Sequence, residues 1–421
     1  MLRRLFALAF SLAVFPACDS AGPATDPPPA PPEADEATAP LRPQARSATF
    51  TVGDSPVTLE ADGALSGGRT VGSYPTGFAP FSAYRSGPWL GGVQNGEIRS
   101  SIVYWESNFT TDCGDGPGAV FALDADTTYT DIETWPRDLG APTDADGSPR
   151  VYGDQMVWGS FCSVAGPGAS GDGRYGDPLQ DLRMNVAAYR YRRDDLAGVV
   201  FVRYEVTNEG AAPISDLRVG MFSDTETPGT YEGTNFSRYS HDAVGFDAAS
   251  GLSYVYQLPF NADGSSYSSE WVSGFTFLDL PLHSHRILRR FPYQEPAGFG
   301  QGPASAEEVV RALDGLSYDG DPMIDPTTGA SSRFAFPTDP FEQTTGWLDG
   351  RDEDGVFIGV DIRQLLAAGP VGLRAGETLA FTVVWVTAED GPTSFDSYRR
   401  VQQALATVRA EPALWRVSAT N

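Results

Sequence analysis

Groups able to do acid–base, nucleophilic or metal chemistry are unevenly supplied in this 421-residue chain. It has 55 Asp and Glu, three His, three Cys and 29 basic residues, every one of them Arg. Without lysine there is no P-loop lysine, no Schiff base and no Ser-Lys pair. Neither HExxH nor G-x-S-x-G occurs. His283 and His285, in "LPLHSHRIL", fall on one face if that segment is a strand. There they would share a metal with a carboxylate, although a His pair on a polar strand face needs no ligand. His241, beside Asp242, reads as an exposed turn residue. Carboxylates for glycoside hydrolysis meet only in the fold, about 5–10 Å apart, and among so many acids none is singled out. Of the aromatics in turn-rich segments (Trp89, Trp105, Trp158, Trp271, Trp347), Trp89 in "YRSGPWLGGV" is the best surface candidate for stacking on a ligand. Core packing is the competing role for each.

The elements that position these groups begin after an export signal. Residues 1–17 give a positive start (Arg3, Arg4), an apolar run Leu5 to Phe15 and the small residue Ala17. Eleven apolar-core residues are too few to span a bilayer, which takes about 20. This order, ending at Cys18, resembles a bacterial lipoprotein signal. The resemblance implies that Cys18 becomes the lipid-bearing first residue, so the chain is exported and held on a bacterial membrane, on its periplasmic or cell-surface side. From 18 to 46 the chain is rich in Pro, Ala, Asp and Glu, as in "DPPPAPP". Such a stretch buries too little to offset its ordering entropy and reads as an extended tether.

The remainder, 47–421, is long enough for one large or two ordinary domains, with a possible break near 292–304. A net charge of −26 argues against nucleic acid as a partner. An acidic, lysine-free surface suits high salt, and equally a GC-rich genome that writes Arg for Lys. Cys113 and Cys162 form an even pair, expected as a disulfide outside the cytoplasm.

Strand signals dominate. "GVVFVRYEVTN" puts Val200, Val202, Tyr204 and Val206 on one face, and "ETLAFTVVWVTAED" does the same with Leu379, Phe381, Val383 and Trp385. "RMNVAAYRYRR" and "GVVFVRYEV" read as a hairpin across "DDLAG", with Gly198 supplying permissive backbone. "GLSYVYQL" and "SGFTFLDLPL" add strands. Helices are expected at "ASAEEVVRALDGL", capped by Ser305 with Glu308 three residues on, at "DIRQLLAAG", and at "TSFDSYRRVQQALATVR" with the stripe Phe395, Tyr398, Val401, Leu405, Val408. With 46 Gly and 33 Pro as punctuation, the class is mainly β: a large antiparallel β-sandwich with a few peripheral helices, one of them C-terminal.

The block Trp135 to Phe161 carries Trp135, Pro136, Asp138, Gly140, Ala141, Pro142, then Gly153, Asp154, Gln155 and Trp158. It resembles a large β-sandwich region of exported bacterial surface proteins, with similarity running through most of 92–409. That resemblance implies the fold and no established activity. Where similar proteins carry a D-x-D loop, this chain has "SDTETPG", so Asp224 and Glu226 are the candidate ligands of a structural calcium, with a solvated acidic turn as the competing reading; no other cofactor is expected. Together these features imply a membrane-anchored lipoprotein presenting a non-catalytic domain for surface assembly, adhesion or ligand binding, with a surface protein or glycan as partner. The alternative is a carbohydrate-active enzyme or carbohydrate-binding accessory domain.

Overall fold

The computed structural model describes residues 37–417 apart from 45, 53–54, 68–69, 72–73, 76–82, 105, 115–117, 165–174, 226–241, 258–270, 290–301, 342–344, 350–361 and 390–392. The first two segments of the expected layout, residues 1–17 and most of 18–46 with Cys18, therefore lie outside the described residues. Ala37–Asn421 forms one compact unit.

Two large antiparallel sheets make the sandwich. The eight-stranded sheet runs Leu282–Arg289, Ile362–Leu373, Ile214–Thr225, Ala83–Gln94, Leu65–Gly67, Ser55–Glu60, Ser47–Val52, with Glu97–Ile102 also on Ala83–Gln94. The nine-stranded sheet runs Val120–Asp124, Gln155–Ser163, Leu182–Arg190, Val199–Asn208, Thr378–Ala388, Val272–Phe277, Leu252–Gln257, Asp242–Asp247, with Phe109–Thr110 also on Gln155–Ser163. Period-two alternation aims Val200, Val202, Tyr204 and Val206 of one sheet at Val219, Met221 and Leu366 of the other, in one shared core. The expected faces of both alternating strands are thus the inner faces.

Their outer faces are not uniformly polar, because helices cover them. Helix α1, Ala306–Leu313, lies on the eight-stranded sheet and buries Val309, Ala312 and Leu313 against Trp89, Phe222 and Leu365. Ser305 accepts from the Glu308 amide at 3.3 Å, the expected cap. The approach is close because Gly91 and Gly220 lie beneath: a Cβ there would sit 2.9 Å from Val310 and 2.4 Å from Leu313. Helix α2, Ser394–Ala410, lies on the nine-stranded sheet, its Tyr398, Val401, Leu405 and Val408 packed with Val199, Phe201, Val384 and Val386. Each such side chain, fully buried, contributes about 1.5–3 kcal/mol relative to exposure.

Four expectations need correction. "DIRQLLAAG" is no helix: Ile362–Leu373 is an inner strand of the eight-stranded sheet. Leu366 faces the inter-sheet core while Leu365 and Ala367 face α1, so burial on both sides overrides helix-favouring composition. The tether boundary at 46 is too late, because Ala37–Pro40 pairs in parallel with Thr127–Thr130 and Leu41 is buried. Nor does the chain divide near 292–304, since Leu282–Arg289 and Ile362–Leu373, from either side of it, are hydrogen-bonded neighbours. Gly198 is needed for space: a Cβ would lie 2.0 Å from the carbonyl oxygen of Thr387.

The block Trp135 to Phe161 is scaffold. Trp135 donates its Nε1–H to the Pro142 carbonyl at 2.9 Å and packs against Trp158 and Phe121. Cys113 and Cys162 form a disulfide, as expected, across Cα atoms 5.7 Å apart.

Candidate functional site

The sequence-nominated residues do not form one site. Glu226, His241 and Trp105 lie outside the described residues. Asp224 sits on the strand Ile214–Thr225 at 2 % exposure, its Oδ2 3.5 Å from the Arg363 guanidinium, where a cation already balances it. Among the described residues no group of three or more His, Cys, Asp or Glu gathers as a metal would require. Trp89, expected at the surface, is fully buried under α1 and donates to the Val103 carbonyl at 2.9 Å. Trp158 and Trp271 are buried as well, and Trp347 packs on Phe336.

The two histidines do not converge. His283 meets Asp314 at the end of α1, Nε2 to Oδ1 2.8 Å, and Asp314 also takes Arg218 at 2.7 Å. His285 is fully buried between the sheets, its ring stacked on Phe246. It closes a chain of polar contacts across the sandwich. Ser86 meets Ser223 (2.7 Å), Ser223 meets Thr225 (2.7 Å), Thr225 donates to Gln364 Oε1 (3.2 Å), and Gln364 Nε2 donates to Ser253 (2.6 Å). Ser253 in turn meets His285 Nε2 at 2.8 Å, and His285 Nδ1 lies 3.0 Å from the Ala335 carbonyl.

That carbonyl accepts only, so Nδ1 carries the proton and Nε2 accepts from Ser253. Every hydroxyl can then donate in one direction, from Ser86 to Ala335. Burial holds the His285 pKa down to about 4, so the imidazole is neutral. The Ser253–His285 contact has the form of a nucleophile–base pair, yet both residues are 0 % exposed and no substrate reaches them.

The open constellation lies elsewhere, on the flank of α2. A groove of about 1010 Å³ runs between the hairpin connection 190–198, the end of the strand Thr378–Ala388, and the helix. Arg400, Gln403 and Thr407 face it at i, i+3 and i+7, one side of the helix. Its floor is pinned where the Thr387 amide donates to the Gly198 carbonyl at 2.9 Å.

The opposite wall is a set of fixed ion pairs. Arg193 donates to Asp195 through Nε and Nη2, at 3.0 and 2.7 Å, and to Glu411 through Nη1 and Nη2, at 2.7 and 3.0 Å. Arg192 pairs with Asp124 and Asp126, and its amide donates to Asp154 at 2.6 Å. Hydrogen bonding to Arg193 lowers the pKa of both Asp195 and Glu411, and the guanidinium is raised in turn. Tyr191, half-buried in the lining, donates to the Leu414 carbonyl at 3.1 Å. Sequence reading missed this site because its walls are about 200 residues apart in the chain. The visible signals were the arginine run "YRYRRDD" and the polar row on α2.

No family model matches the chain, and no curated protein matches it. Among solved structures it is similar to one described as a polysaccharide lyase, at 10% identity and a TM-score of 0.31, over 87% of this chain and 34% of that one. The chain thus spans about a third of that structure's length.

Proposed function

We propose that this is an exported, lipid-anchored bacterial envelope domain that captures a ligand without turning it over, in the groove along α2. The observation that supports this reading is the groove itself: the ion-paired Arg192 and Arg193 on one wall and the row Arg400, Gln403 and Thr407 on the other line an opening large enough for an extended ligand. Pockets that hold whole small molecules run to about 300–1,000 Å³. The N-terminal sequence supplies the placement, with lipid on Cys18 holding the domain at a membrane.

Retention of the purified domain on an envelope fraction tests the reading. Retention should be saturable and should fall when Arg400 and Gln403 are replaced by Ala. Equal retention of wild type and variant, or none at all, sinks it. The carbohydrate-active alternative needs one carboxyl held protonated near neutral pH. In the groove, Asp195 is shifted the opposite way by Arg193. Release of reducing ends from an added glycan would reverse that judgement.

A further inference from the structure

The ligand class can be read from how the groove's charges are already used, an inference that rests on the groove being the binding site. Four arginines and three carboxylates line it. Two of the arginines are matched in advance: Arg192 by Asp124 and Asp126, Arg193 by Asp195 and Glu411. A polyanion would have to compete with four carboxylates and approach a chain of net charge −26. An apolar ligand would meet the apolar carbons of the lining but would strip water from the charges exposed beside them.

A neutral polyol meets neither penalty. Arg192, Arg193 and Asp195 are flat groups whose orientation is set by an ion-pair partner, so they offer donors or acceptors at fixed spacing to adjacent hydroxyls. Little ordering entropy is then lost on binding. Tyr191, tied by its own hydroxyl to Leu414, adds a rigid ring to the lining. On the other wall Arg400, Gln403 and Thr407 form a polar row about 10 Å long at 1.5 Å per residue, which matches a linear ligand. We propose that the groove binds a neutral glycan chain through its hydroxyls.

Calorimetry on the whole chain tests this with neutral oligosaccharides of glucose, xylose, mannose or galactose, two to six units long, and with polygalacturonate as the anionic probe. At least one neutral series should bind, with affinity rising with length. Affinity should change little between low and high salt, because no net charge is exchanged. Arg400→Ala and Gln403→Ala should each weaken binding by about tenfold while leaving the melting temperature in place. Binding to polygalacturonate alone, binding to none of the probes at millimolar concentration, or neutral binding that survives both substitutions would overturn the proposal. Envelope retention that both substitutions abolish, but that no neutral oligosaccharide competes away, would overturn the glycan assignment and leave the groove reading standing.

Discussion

The polar chain at His285 and the groove at Arg193 use the same kinds of side chain for opposite ends. Between the sheets, Ser253, Gln364 and His285 are 0 % exposed and each is paired in one consistent donor direction. On the flank of α2, Arg192 and Arg193 are also paired, but water still reaches them. In the first place pairing makes burial tolerable, since an orphaned buried polar group costs about 1–3 kcal/mol. In the second it fixes geometry for something that arrives later. A Ser-His contact is therefore no sign of catalysis until something can approach it, and a set of surface ion pairs is no sign of stability.

The comparison predicts that framework changes move stability and spare ligand capture. The largest effect belongs to the disulfide. Replacing Cys113 and Cys162 with Ser opens a loop of 49 residues and should cost about 4 kcal/mol by loop entropy. Urea midpoints should show the drop, while envelope retention at low temperature stays intact. Loss of retention in a still-folded variant would mean that the two regions are coupled.

Next comes His285, whose contribution depends on pH. Its folded pKa, about 4, lies below the ordinary 6.5 of the unfolded chain. Below pH 6.5 the unfolded state takes up the proton first, so stability is full above 6.5 and falls toward pH 4 by about 3 kcal/mol. Burial also raises the carboxyls of Glu60 and Asp279, which tilts the acid limb the other way. The measurement is therefore a difference: between pH 7 and 4.5, wild type should lose more stability than His285→Gln. Parallel pH profiles would refute the assignment.

How much of this was legible beforehand follows the same divide. Strands with one apolar face could be read from alternation, as with Val200 to Val206 and Leu379 to Trp385. α2 could be read from the spacing of Tyr398, Val401, Leu405 and Val408. Ile362–Leu373 could not, because both its faces are buried and no polarity alternates along it. Trp89 was misplaced for a related reason: the glycines of "SGPWLGG" resemble a turn, yet Gly87 makes room for Val103 and Gly91 for α1 against a strand. The groove was legible only as separate pieces, the arginine run and the polar row on α2, because they meet only in the fold. The direction of the Ser86-to-His285 chain likewise depends on register between strands far apart in sequence.

Gly198 is where the groove meets the nine-stranded sheet. A Cβ there would meet the Thr387 carbonyl at 2.0 Å, so Gly198→Ala must move the backbone that floors the groove. A strained small-to-large change of this kind costs about 1–3 kcal/mol. Unlike the disulfide or His285 variants, it should lower the melting temperature and envelope retention together. Retention unchanged at full occupancy would place the ligand off the floor, higher on the walls.

The smallest stability effect should accompany the sharpest change in binding. Asp195→Asn with Glu411→Gln removes both carboxylates that hold Arg193. The pairs are exposed, and such pairs contribute little to folding, so the melting curve should scarcely move. Arg193 itself, however, would be left as an unmatched guanidinium in the groove. A bidentate fork without its partners favours carboxylate ligands. The double variant should thus gain salt-sensitive binding to polygalacturonate and lose affinity for neutral oligosaccharides. If it kept neutral binding and stayed indifferent to polygalacturonate, pre-matched charge would not be what selects the ligand. If it unfolded, the ion pairs would belong with the buried framework, and the contrast between the two regions would fail.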